Sequence, residues 1–199
     1  PSIWTNVVSE GDRYYSSSDS STYQYSTIDN SNGWQASTPY QGEYIIMDLS
    51  TIQKVRGVVT QGGGSGNNWC TVFYVYYSRS TVSPPSKIWT RSSSPSTQDM
   101  GWKRISNSDT SQGFFFTGNT DKNSKVYNTF KEPVNARFIK IELISNDDTI
   151  TVGSFGGYTG TWTWNVSTEL WQKGTQFAGR APTDNYLSHY TNPSPIHKY

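Results

Sequence analysis

Two histidines, His189 and His197, and one cysteine, Cys70, are the side chains of this 199-residue chain best suited to nucleophilic or general-base work. Both histidines fall in an irregular C-terminal stretch, and no histidine lies near Cys70 in sequence, so no nucleophile–base pair is spelled out. The thiol is expected to sit in a strand, buried and inert. No spacing of cysteine and histidine suits zinc. Carboxylates are scattered, and no motif orients a pair for glycoside hydrolysis. The chain is therefore expected to bind rather than to catalyse.

Binding chemistry is concentrated in three polar stretches. Residues 20–32 carry Tyr23, Tyr25, Asp29 and Asn32. Rings of this kind cover the apolar face of a pyranose, and planar amides or carboxylates pair with vicinal hydroxyls. Otherwise the stretch is a polar loop with its tyrosines packed on a sheet. Residues 61–68 hold four glycines and end in Asn67 and Asn68, the preferred contacts here. No Lys-Ser/Thr pair or helix follows, so this is not a phosphate cradle. Trp69, next in line, is either core or a stacking platform. Residues 118–125 supply Asn119, Asp121 and Asn123. Asp29 and Asp121, with backbone carbonyls, could hold a structural Ca²⁺, which needs about 6–8 oxygens. In the plainer reading Asp121 caps a turn.

The elements that must position these loops read as strands. Residues 43–49, 54–61, 69–78, 114–116 and 137–143 alternate with period two or run as short apolar stretches. In 69–78 both faces are apolar or aromatic, so this strand should be central and covered on both sides. In 137–143, Lys140 and Glu142 should point outward. Turn-formers separate the strands, and no window supports an amphipathic helix.

Only 33% of residues are hydrophobic, but 15% are aromatic and the net charge is +1. That combination fits a folded domain whose rings supply buried area, not a disordered chain. The charge gives no electrostatic case for nucleic acid or an anionic membrane. One cysteine excludes an internal disulfide framework. No stretch approaches the roughly 20 apolar residues of a membrane span. The Ser/Thr/Asn/Tyr/Trp-rich, charge-poor composition, with a sequon at Asn165-Val166-Ser167, points to an extracellular or cell-surface protein.

Several segments in order resemble the discoidin, or coagulation factor 5/8 type C, family. They are Trp34-Gln35-Ala36, Tyr44-Ile45-Ile46-Met47-Asp48-Leu49, Val55-Arg56-Gly57-Val58-Val59-Thr60-Gln61-Gly62, Trp69 through Ser78, Phe116-Thr117-Gly118-Asn119-Thr120-Asp121, Val126 through Phe130, and Pro133 through Ile141. Together they cover about residues 14–157. The bracketing disulfide often found in the family is absent, and residues 150–156 depart from its usual last strand. The resemblance implies an all-β, distorted jelly-roll β-sandwich of about eight strands. It also implies that stretches 20–32, 61–69 and 118–125 project as spikes at one end. The spike tips are Gly, Ser and Asn rather than large apolar residues, which argues against membrane insertion.

Two regions are thus expected: a discoidin-like domain over 1–157 and an irregular C-terminal extension over 158–199. Thr161-Trp162-Thr163-Trp164 alternates like a strand, and Trp162, Trp164 and Trp171 either pack on the sandwich, with Trp4, or form an exposed platform. The function expected is lectin-like glycan recognition through the spikes. The alternative is a structural or adhesive subunit of a larger extracellular assembly, with 158–199 touching a neighbouring protein.

Overall fold

The computed structural model describes residues 8–37, 42–63 and 69–144, and the backbone of 165–171. Among them are eight strands: β1 (Arg13–Tyr15), β2 (Trp34–Gln35), β3 (Tyr44–Gly62), β4 (Val72–Ser78), β5 (Lys103–Arg104), β6 (Phe116–Thr117), β7 (Val126–Leu143) and β8 (Asn165–Trp171). Named strand pairs are antiparallel, and no described helix is long and apolar enough to cross a membrane.

Two long strands organise the molecule. The sequence suggests separate strands on either side of residues 50–53, yet β3 runs through them as one bent element. Ser50 takes a left-handed φ of 65° and the register against β7 shifts between Asp48 and Gln53. Such a bulge bends a strand while keeping most of its ladder. Asp48 stabilises the bend: its carboxylate accepts two hydrogen bonds from Arg137, each 3.1 Å, and one from the Ser50 amide at 2.8 Å. The first half of β3 pairs with β1 and with the end of β7, which in turn pairs with β4. The second half pairs with the start of β7 and with β8. The expected sandwich is thus two layers that share the same bent strands.

The main core lies between the layers. It joins Tyr15, Ile45, Met47, Phe73, Val75, Ile139 and Ile141 of one layer to Val58 and Phe130 of the other. Trp34 is fully buried, stacked on Tyr15 at 5.6 Å, with its indole N–H donating to the Ser17 carbonyl. A second apolar cluster of Tyr44, Ile46, Trp89, Met100 and Phe138 covers the other face of the first layer. In β4 itself Val72, Phe73, Tyr74 and Val75 are all buried, so the expected cover on both sides holds for its first four residues, while Tyr76 and Tyr77 are half-buried.

Three expectations need correcting. Lys140 does not point into open solvent: only 8% of it is exposed, and its ammonium lies against the Tyr76 and Trp102 rings and 3.1 Å from Glu142. Phe114 and Phe115 are not in a strand; β6 begins at Phe116, because Gly113 (φ 62°) turns the chain and Asn107 binds the Phe115 carbonyl. Cys70 lies just ahead of β4 rather than within a strand. Its thiol is buried, its Sγ is 3.2 Å from the Val72 carbonyl, and burial pushes its pKa up.

The segment expected as an extension also supplies structure. Residues Asn165–Trp171 lie between β2 and β3, with Val58 opposite Leu170 and Trp34 opposite Val166. Trp4, Trp162, Trp164, His189 and His197 lie outside the described residues.

Candidate functional site

Three loops separated by many residues come together at one end of the sandwich. Each is anchored by hydrogen bonds the backbone demands. Loop 1, after β1, is pinned at Ser26 and Thr27. The Glu10 carboxylate accepts both of their amides (2.8 and 3.3 Å), and the buried Arg13 guanidinium donates to the Ser26 carbonyl at 2.6 Å. From there Ile28 tucks into the interior and Asp29 turns outward with a left-handed φ of 65°. Short polar residues tolerate that region better than others.

Loop 3 follows β6. Gly118 donates to the Thr71 carbonyl at 2.7 Å, and Asn119 to the Cys70 carbonyl at 2.8 Å. Glycine is required at 118, since a Cβ there would lie 2.1 Å from the Cys70 carbonyl oxygen. The Asn119 side chain then donates to the carbonyls of Thr60 (3.2 Å) and Ser124 (2.6 Å). The Asp121 carboxylate accepts the amides of Asn123 and Ser124 (2.7 and 2.6 Å), an Asx turn that shapes the tip.

Gln61, the residue that opens loop 2, links all three. Its Oε1 accepts the Asp29 amide at 2.9 Å, while its Nε2 donates to Asp29 Oδ1 at 3.3 Å and to the Asn123 carbonyl at 2.9 Å. Lys125 completes the contact, its ammonium 2.7 Å from Asp29 Oδ2. That hydrogen bond, with the one from Gln61, holds the Asp29 carboxyl below its ordinary pKa despite desolvation. Amides binding its ionised form likewise lower the Asp121 pKa.

Between the loops lies an open cleft of about 370 Å³, lined by Asp29, Asn30, Ser31, Gln61, Gly62, Gly63, Lys122 and Asn123. Of the residues expected to touch a ligand, Asp29 and Asn123 line this one cleft. Asn119 is not one of them: it is buried to 1% exposure and its amide ties loops 2 and 3 together. Asp121 uses one carboxylate oxygen to cap its own turn. Tyr23, Tyr25 and Asn32 are near the cleft in sequence but are not among its described lining, and Tyr25 is exposed. The Trp69 indole nitrogen is buried and has no acceptor among the described residues. Asn67 and Asn68 lie outside the described residues. Gln61 and Lys122, which line the cleft, and Lys125, which pairs with Asp29, are positions that residue-type reasoning passed over. Gln61 sits where the alternation of β3 meets the glycines, which is the one signal it leaves in the sequence.

Any cation at Asp29 must compete with the Lys125 ammonium, and among the described residues no three His, Cys, Asp or Glu side chains cluster as a metal site. The arrangement offers amide donors, carbonyl and carboxylate acceptors and one uncommitted ammonium around a shallow cleft. That is hydrogen-bonding equipment for a polyhydroxylated ligand.

The chain belongs to the F5/8 type C domain family, which matches residues 13–155. Bovine (Bos taurus) lactadherin is 28% identical over 131 residues, 64% of this chain and 27% of that protein. The chain therefore spans about a quarter of the length of that relative. Among solved structures, discoidin II of Dictyostelium discoideum superposes with a TM-score of 0.56 at 16% identity, covering 82% of this chain and 56% of that one. The CBM32 of AlyQ in complex with 4,5-unsaturated mannuronic acid gives a TM-score of 0.52 at 16% identity, covering 86% of this chain and 99% of that one.

Proposed function

We propose that this chain is an extracellular carbohydrate-binding module that takes its glycan in the cleft between loops 1, 2 and 3. The observation that carries the reading is the Gln61 link: one side chain holds Asp29 and Asn123, from loops otherwise far apart in sequence, at the edge of one polar cleft. Cross-linked loops present hydrogen-bonding groups already in place, which lowers the ordering cost of binding. A sugar captured with a module of the same fold supports the reading.

No aromatic ring is among the cleft's described lining, so recognition there rests on hydrogen bonds to hydroxyls. Affinity is expected to be modest, on the order of millimolar to micromolar for a single shallow site. In this reading the Lys125 ammonium supplies positive charge at Asp29, where a structural Ca²⁺ was one of two expectations, and binding persists in EDTA.

The assembly alternative loses part of its motivation, because Asn165–Trp171 pairs within this chain's own sheet. The test is a glycan array probed with the intact chain, with Ca²⁺ and with EDTA, alongside Gln61→Ala and Asn123→Ala variants. Selective binding that both substitutions weaken supports the module. Absence of binding to any glycan by folded protein overturns it and favours the assembly role.

A further inference from the structure

A second cleft of about 370 Å³ opens on the same end of the sandwich, lined by Ser16, Gly42, Glu43, Tyr44, Thr90, Arg91 and Ser92. The strand register places it there. Tyr44 pairs with Glu142, Leu143 with Phe73, and Phe73 with Phe116, the strand that feeds loop 3. β3, bent at Ser50, starts beside this cleft and ends at Gly62 in the first one.

The charges in the second cleft are unequally committed. Glu43 is engaged by hydroxyls: Ser16 and Ser17 both donate to its Oε2, the latter at 2.7 Å. The Arg91 side chain is exposed and makes no hydrogen bond or ion pair among the described residues. Its backbone, by contrast, is held firmly. Ser96 Oγ donates to the Arg91 carbonyl at 2.7 Å, and Ser93 Oγ accepts the Thr90 amide at 2.9 Å. Before the loop, Trp89 is fully buried, with its carbonyl accepting the Tyr44 hydroxyl at 2.7 Å. A rigid turn thus presents a guanidinium with its hydrogen-bonding fork unused, beside the Ser92 hydroxyl. The first cleft carries a comparable group, Lys122, with no ion pair among the described residues.

We propose that the Arg91 cleft is a second sugar subsite, one that takes a carboxylate-bearing residue, a uronic acid, of the glycan. The inference rests on the carbohydrate-binding reading above and specifies its ligand. A guanidinium binds a planar carboxylate through two parallel hydrogen bonds. The neighbouring Glu43 disfavours a doubly charged anion more than a singly charged one, which selects carboxylate over phosphate monoester. The Ser92 hydroxyl, 2.9 Å from Thr90 Oγ1, keeps a lone pair to accept from a ring hydroxyl.

The test is nuclear magnetic resonance of the intact chain with labelled arginine and glutamine side chains. The Arg91 Nε–H signal is assigned by its loss in Arg91→Lys. The probes are a glucuronate-containing disaccharide and the matching neutral disaccharide. The uronate is expected to move the Arg91 signal saturably, and Arg91→Gln to weaken uronate binding about tenfold with neutral binding unchanged. A uronate that moves the Gln61 amide but not Arg91, or that binds Arg91→Gln as tightly as wild type, overturns the subsite and leaves the module standing. If neither sugar moves either signal, the subsite and the carbohydrate reading fall together.

Discussion

Asp29 and Gln61 hold each other reciprocally: the Asp29 amide donates to Gln61 Oε1 at 2.9 Å, and Gln61 Nε2 donates back to Asp29 Oδ1 at 3.3 Å. The pair joins a loop in the first fifth of the chain to the end of a strand 32 residues later. Gln61→Ala should unlink the loops without disturbing the core beneath. A lost hydrogen bond of this kind contributes about 0.5–1.5 kcal/mol. Calorimetric glycan binding should weaken about three- to tenfold, while the melting temperature moves by no more than a few degrees.

The Asp29 latch should depend on pH in a definite direction. The hydrogen bond from Lys125 holds the Asp29 carboxyl below the usual carboxylate range in the folded chain. A depressed carboxylate contributes stability that is complete above the unfolded pKa and is lost as pH falls through the folded one. The latch should therefore be intact from neutral pH down to about 4 and should open below that. Asp29 is largely exposed, so the effect on global stability is small and is best read locally. Loop amide shifts should titrate below pH 4 in wild type, and the component belonging to Asp29 should vanish in Asp29→Asn.

Asn119 and Gly118 form the rigid floor beneath the cleft. Asn119→Ala strands the carbonyls of Thr60 and Ser124 and should cost about 1–3 kcal/mol in urea denaturation. Gly118→Ala forces a Cβ onto the Cys70 carbonyl and should cost as much or more, since backbone rather than a flexible side chain must move.

The strand core was readable because β3, β4 and β7 carry long apolar or alternating runs whose period survives any register. The three loops were readable as polar gaps between those runs. Asn119 was misjudged because nothing local distinguishes an exposed loop amide from one satisfying a carbonyl 59 residues earlier. Lys140 was misjudged for a related reason: alternation assigns a face, but Trp102, which covers that face, arrives from a distant loop. Gln61 and Lys125 were passed over because their role exists only once loops 1 and 3 meet. The pairing of β8 with β3 could not be read from a short segment with mixed polarity.

Position β8 also offers a clean test of the sheet order. Thr168 lies opposite Thr60, with β8 inserted between β3 and β2. Thr168→Pro puts a residue without an N–H, and with its φ fixed by the ring, inside a strand paired to β3 and near its start to β2. It should lower the urea midpoint of unfolding. Unchanged unfolding in urea would mean that residues 165–171 do not contribute a strand to this sheet.

The most direct test of the carbohydrate-binding cleft is chemical-shift mapping of the labelled chain with whichever glycan it binds. Saturable shifts should concentrate at Asp29 to Ser31, Gln61 to Gly63 and Lys122 to Asn123, and weaken together in Gln61→Ala. Shifts confined to other surfaces, with these three loops unmoved at saturation, would contradict the cleft as the glycan site.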